Sequence, residues 1–92
     1  MYKITNRQKR NADALFVKIK PSTLKGKKID VFNKKGEKLV SIGALGMGDY
    51  PTFIREKGKD YANVRRRLYK DRHEKDRHKR GTAGYYADQL LW

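Results

Sequence analysis

Ninety-two residues make at most one domain, and 24 Lys and Arg against 10 Asp and Glu give that domain a formal charge of +14. Hydrophobic and charged residues each make up 37% of the chain, so the core must be thin and a partner is expected to supply part of the stability. The absence of cysteine excludes a disulfide framework and a thiolate metal site, and no apolar run approaches the roughly 18 residues of a membrane span.

The charge is not a detachable tail. The first 46 residues hold 12 basic and 3 acidic side chains, and the last 46 hold 12 and 7. A field spread over the whole domain attracts nucleic acid, anionic membrane or an acidic protein face. The opening MYKITNRQKR lacks the apolar core of a signal peptide, so the chain is expected in the cytosol or nucleus, or in a particle assembled there.

In chain order, Tyr2–Thr5 reads as a short strand and the polar Asn6–Asp13 as a loop. Ala14–Lys20 reads as the first full strand, with Leu15, Val17 and Ile19 on one face and Phe16, Lys18 and Lys20 on the other. Pro21 ends it. Lys28–Asn33 is the second strand, Lys34-Lys35-Gly36 a turn, and Lys38–Gly43 the third strand. The result is a three- or four-stranded antiparallel meander, with one apolar face and one carrying Lys with Phe16 and Phe32.

Gly43, Gly46 and Gly48 mark the passage from sheet to helices. Pro51–Lys57 suits a short helix with Pro in its first turn and Gly58 as its stop. Asp60 is a candidate N-cap for a long helix running to Arg80, held down by a stripe of Tyr61, Val64 and Leu68. Beyond Tyr69 the stripe gives out. The pairs Arg67–Asp71, Asp71–Lys75, Glu74–His78 and Asp76–Arg80 then support a helix that projects into solvent or along a partner. Gly81 stops it, and Thr82 caps a last short helix bearing Tyr85, Tyr86, Gln89 and Leu90. The fold class is α+β in a single domain 1–92, residues 1–44 mainly β and 51–92 mainly α, with the C-terminal helices packed on one face of the sheet.

Few residue patterns carry chemistry. Arg65-Arg66-Arg67 is the densest basic cluster, and three consecutive residues fan about 200° around a helix. They cannot all grip one phosphate row. Arg66 or Arg67 with Lys70 forms an anion contact on one reading and a solvated face on the other. His73 and His78 lie five apart, unlike the i, i+3 or i, i+4 spacing of helical zinc pairs, so solvated histidines are expected and no metal. The glycine spacing matches neither G-x-G-x-x-G nor a P-loop, so a turn is expected, with Asp49 and Tyr50 anchoring it. Neither Ser22 nor Ser41 sits in a nucleophile elbow, and no isolated carboxylate dyad stands out. Tyr2, Phe16, Phe32 and Tyr69 are candidates for stacking on bases. A second small core beneath the C-terminal segment is the plainer use of Phe16 and Phe32.

The order Gly46-x-x-Asp49-Tyr50, then a basic helix with Arg72-His73, then Thr82-Ala83-Gly84 followed by Leu90-Leu91-Trp92, resembles a family of short basic proteins encoded by large double-stranded DNA viruses of the chlorella-virus and mimivirus-like groups. The resemblance spans residues 38–92, with a similar hairpin ahead of it. It implies a viral context rather than an activity. Members of that family often continue beyond the position of Trp92.

The expectation is therefore a non-enzymatic minor structural protein of a virus particle, a basic cement that binds acidic capsid subunits. The alternative is a sequence-nonspecific nucleic-acid-binding protein on the viral genome, and an anionic membrane beneath the shell ranks third. No cofactor and no small-molecule substrate are expected. Arg65, Arg66, Arg67, Lys70, Arg72, Arg77, Lys79 and Arg80 are the expected partner contacts. Tyr85, Tyr86, Leu90, Leu91 and Trp92 are expected to lock the fold or insert into a neighbour.

Overall fold

A computed structural model describes residues 2–92. The elements run α1 (Asn6–Ala14), β1 (Lys18–Pro21), β2 (Lys27–Phe32), β3 (Lys38–Ala44), α2 (Tyr50–Lys57), α3 (Lys59–Arg72) and α4 (Ala83–Leu91). The sheet is an antiparallel meander in the order β1-β2-β3, as expected. Its apolar register sets Ile19 against Val31, Ile29 against Ile42 and Val31 against Val40. A bulge at Val31/Phe32 then shifts Phe32 opposite Lys38. The β2–β3 turn is built by Asn33, whose side-chain oxygen accepts the N–H groups of Lys35 and Glu37.

The first departure from expectation lies in residues 6–16. Asn6–Asp13 is helical, because Thr5 and Gln8 form a capping box. The Gln8 N–H donates to Thr5 Oγ1 at 3.1 Å, and the Thr5 N–H donates to Gln8 Oε1 at 2.9 Å. The helix buries only Gln8 and Ala12, one turn apart, which is why no apolar period announces it. Residues 2–5 do not form a strand. The strand expected from Ala14 begins instead at Lys18, because α1 ends in a Schellman turn. The Val17 N–H reaches Ala12 O at 3.0 Å, and the Phe16 N–H reaches Asp13 O at 3.1 Å. Phe16 fills the left-handed position of this turn, at φ 59°, where glycine is usual, and its side chain is 76% exposed.

The second departure concerns the sheet's polar face. Lys28, Ile29, Asp30 and Val31 are all buried, so the central strand is covered on both sides. Asp30 is held there by Ser22 and Ser41, each donating at 2.6 Å, by the Thr23 N–H, and by Lys38 at 3.5 Å. Phe16 and Phe32 form no joint platform. Phe16 lies outside the sheet, and Phe32 packs beneath the Lys20 ammonium.

The third departure is in the helices. α2 starts one residue early, at Tyr50, because Asp49 caps it through the Thr52 N–H at 2.9 Å. Gly58, at φ 90°, separates α2 from α3 and is itself the N-cap, so Asp60 lies in the first turn rather than capping it. α3 buries Ala62 and half-buries Arg66 and Tyr69, whereas Tyr61, Val64 and Leu68 are 43%, 45% and 47% exposed. The expected stripe is therefore the outer face. The helix stops at Arg72 rather than Arg80. His73 O accepts from Asp76 and Arg77, and the chain turns back through residues 73–81 toward α4. Of the four charge pairs invoked for the longer helix, Glu74–His78 forms, at 2.9 Å.

Thr82 caps α4 as expected, accepting the Tyr85 N–H at 3.2 Å. Tyr86, Leu90, Leu91 and Trp92 join Ala12, Val17, Ile29, Val31, Ile42, Tyr50 and Ala62 in one core, with Tyr85 packed at its edge. Leu91 sits so close to β3 that a side chain on Gly43 would meet it at 2.8 Å. A left-handed backbone costs a residue with a Cβ about 1–2 kcal/mol, and exposed Phe16 gives up little burial. Phe16→Gly is thus predicted to stabilise the domain by about 1 kcal/mol, raising the thermal midpoint by roughly 4–8 °C in a calorimetric scan.

Candidate functional site

The 24 cations divide into those committed to the fold and those left on its surface. The most deeply committed is Lys28. Its ammonium is 2.8 Å from Asp49 Oδ2 and donates to Met47 O at 2.6 Å. The side chains of this pair are 5% and 1% exposed. Tyr2 OH donates to the same carboxylate oxygen at 2.8 Å, and Gln8 Nε2 donates to Tyr2 OH at 2.9 Å. One buried cage thereby ties the N-terminal segment, α1, the central strand, the glycine turn and the cap of α2.

Burial alone would raise the pKa of Asp49. The hydrogen bonds from Lys28, Thr52 and Tyr2 outweigh it and hold the carboxyl below the usual range. Asp30 is held low in the same way, burial being overcome by Ser22, Ser41, Thr23 and Lys38. Tyr2 is pushed well above the usual phenol range, chiefly by burial, with Asp49 adding to it.

A second committed set closes the C-terminal helix. Arg66 lays its guanidinium 3.5 Å from the centre of the Tyr50 ring and donates from Nε to Trp92 O at 2.7 Å. Burial lowers its pKa from the ordinary arginine value. Asp88, only 3% exposed, receives Lys70 at 2.8 Å and lies 3.7 Å from Arg77, which also grips Glu74 at 2.7 Å. Trp92 stacks on Tyr69 with ring centres 4.6 Å apart, and His73 packs on Tyr69 at 4.4 Å. Burial, with Asp88 nearby, raises the Tyr69 pKa.

The expected contact residues accordingly separate. Arg66, Lys70 and Arg77 serve the fold. Arg65 is half-buried, with its guanidinium 5.3 Å from the centre of the Phe53 ring. Arg67, Arg72 and Arg80 are exposed and take part in no ion pair among the described residues, and exposed Lys79 has only a loose contact with Asp76 at 3.8 Å. The same freedom extends to cations not singled out in the sequence: Lys9 and Arg10 on α1, Lys25 and Lys27 before and in β2, Lys34 and Lys35 in the β2–β3 turn, and Lys57 and Lys59 around Gly58.

Two clefts open beside the cage. One, of about 580 Å³, is lined by Tyr2, Lys3, Lys28, Met47, Phe53 and Arg55 among others. The other, of about 350 Å³, lies between the glycine turn and α3, with Arg65, Arg72 and His73 at its rim and Leu91 and Trp92 in its wall. Among the described residues no buried side-chain polar atom lacks a partner, and no group of three or more acidic, His or Cys side chains converges as a metal site. Both carboxylate oxygens of Asp30, Asp49 and Asp88 meet donors from the chain itself. Gly43 lies near the end of β3, and residues 45–48 form the turn expected between sheet and helices. Its Met47 carbonyl serves Lys28, and its Gly48 lies so close to the Phe53 ring that no Cβ would fit.

The cage itself was not anticipated. Lys28 is one of many lysines, and the D-Y-P sequence at 49–51 signals a helix cap but not an ion-pair partner. No protein-family model, curated protein or solved structure matches the chain.

Removing one member of a buried pair strands the other's charge, at a cost of about 3–5 kcal/mol. Lys28→Met is predicted to lose that much in urea denaturation, and Lys28→Met combined with Asp49→Asn to recover most of it. The low carboxyl pKa values of Asp49 and Asp30 also fix an acid limit. Their contribution is complete above the unfolded-state value near ~4 and is lost as pH falls through the folded values. The urea midpoint should therefore hold down to about pH 4 and then fall.

Proposed function

We propose that this chain is a non-catalytic cement module of a large DNA virus particle, lodged among acidic faces of shell proteins. The observation that supports this reading is the division of the cations. The buried acids and the cations that meet them are consumed in holding the fold. Exposed cations outside any ion pair among the described residues remain on α1, in both hairpin turns, on the α2–α3 pair and in residues 73–81. Charge distributed over that many elements suits a small body contacted from more than one side. The viral context comes from the resemblance of residues 38–92.

Nucleic-acid binding is the second reading, and the charge alone favours it as much. The aromatic residues favour it less. Tyr2 is tied into the cage, Tyr69 lies between His73 and Trp92, and Phe32 is partly buried beneath Lys20. Among these candidates only Phe16 is exposed. Binding to nucleic acid would then rest on phosphate contacts and weaken steeply with salt. No helix among the described residues is long and apolar enough to cross a membrane.

Fractionation of purified particles into shell and DNA core, with mass spectrometry for this chain, separates the readings. Recovery with the shell after nuclease treatment is expected. Recovery with the genome, released by nuclease or salt, would transfer the assignment to nucleic-acid binding.

A further inference from the structure

We infer that the outer face of α3 is a docking site for an acidic amphipathic helix of the partner protein. The inference rests on the acidic-partner reading above and assigns it a location and a shape.

Tyr61, Val64 and Leu68 fall at i, i+3 and i+7, so they form one stripe about 10 Å long. Each is close to half exposed, in a chain otherwise dominated by charge. The stripe has a firm base. Tyr61 packs edge-on against Phe53 at 5.4 Å, and the opposite face of α3 is fixed by Ala62 and by Arg66 on Tyr50. An apolar row on a rigid helix is the surface that a second amphipathic helix covers with its own i, i+3, i+4, i+7 side chains.

The flanks specify the charge of that helix. By the helical period Arg65 and Arg72 lie along one side of the stripe. Arg72 is exposed, and both border the 350 Å³ cleft beside Met47, which is itself 67% exposed. The other side is mixed, with Arg67 between Asp60 and Asp71. The occupant that fits is a helix with an apolar stripe and a row of carboxylates turned toward Arg65 and Arg72. A second copy of this chain fits poorly, because each copy brings a charge of +14.

The test uses two synthetic peptides of identical Leu and Glu composition. One places Leu at i, i+3, i+4 and i+7, and the other scatters it. Binding to the full chain is followed by fluorescence anisotropy. The patterned peptide is expected to bind about tenfold more tightly than the scattered one. The pair Val64→Ser and Leu68→Ser should abolish that preference with the thermal midpoint retained, while Leu24→Ser, at an exposed apolar residue elsewhere, leaves it intact. Equal binding of both peptides, unaffected by the α3 substitutions, would overturn the docking face and leave the acidic-partner reading standing. Binding of neither peptide would overturn both. A wild-type dimer that the α3 substitutions disperse would assign the face to a second copy instead.

Discussion

The Lys28–Asp49 pair is the constraint on which the rest of the molecule depends. A thin core cannot by itself fix the relation between a three-stranded sheet and four short helices. The pair supplies that relation. Lys28 comes from the start of the central strand, and Asp49 caps α2. Tyr2 and Gln8 complete the cage from the N-terminal side. Burying two charges is costly unless every lone pair and proton finds a partner. Here the ammonium also serves the Met47 carbonyl, and the carboxylate is met by Tyr2 and Thr52, so desolvation is offset by hydrogen bonds. Gly48 presses on Phe53 directly beside the pair, which brings the α2–α3 hairpin into the same framework.

At the other end the logic repeats with arginine. Arg66 joins Tyr50 on α2 to the end of α4, and Asp88 joins α4 to α3 and to the turn-rich 73–81 segment. A strongly basic chain therefore uses its few buried acids as internal anchors. Its charge excess is consequently a surface property, carried by residues whose replacement leaves the core alone. This division makes a role as a charged adaptor physically coherent: the binding groups and the folding groups are different side chains.

The sheet was legible in the sequence because alternation in Ile29, Val31, Val40 and Ile42 is a period-two signal, and the turn at Lys34–Gly36 punctuates it. Thr82 and Gly58 were legible as cap and stop for local reasons. α1 was not, because a helix that buries two residues gives no period, although Thr5-x-x-Gln8 is a capping box visible in retrospect. The outer stripe of α3 misled for the opposite reason. It has a helical period, and periodicity does not say which face is inside. The inner face is instead made from a small residue, an arginine stem and a tyrosine: Ala62, Arg66 and Tyr69. The hydrogen-bond partners Asp49 of Lys28, Trp92 of Arg66 and Lys70 of Asp88 lie 18 to 26 residues away in sequence, beyond the reach of any local pattern.

The cations fall into two classes, one holding the fold and one left on the surface, and a paired substitution experiment distinguishes them. Thermal midpoint and affinity for an acidic protein surface would be measured for two sets of variants. One set replaces Arg67, Arg72 and Arg80 with Gln, and the other replaces Arg66, Lys70 and Arg77 with Gln. The first set is expected to lose affinity at an unchanged midpoint, and the second to lose stability. Retained affinity in the first set, or an unchanged midpoint in the second, would contradict this division.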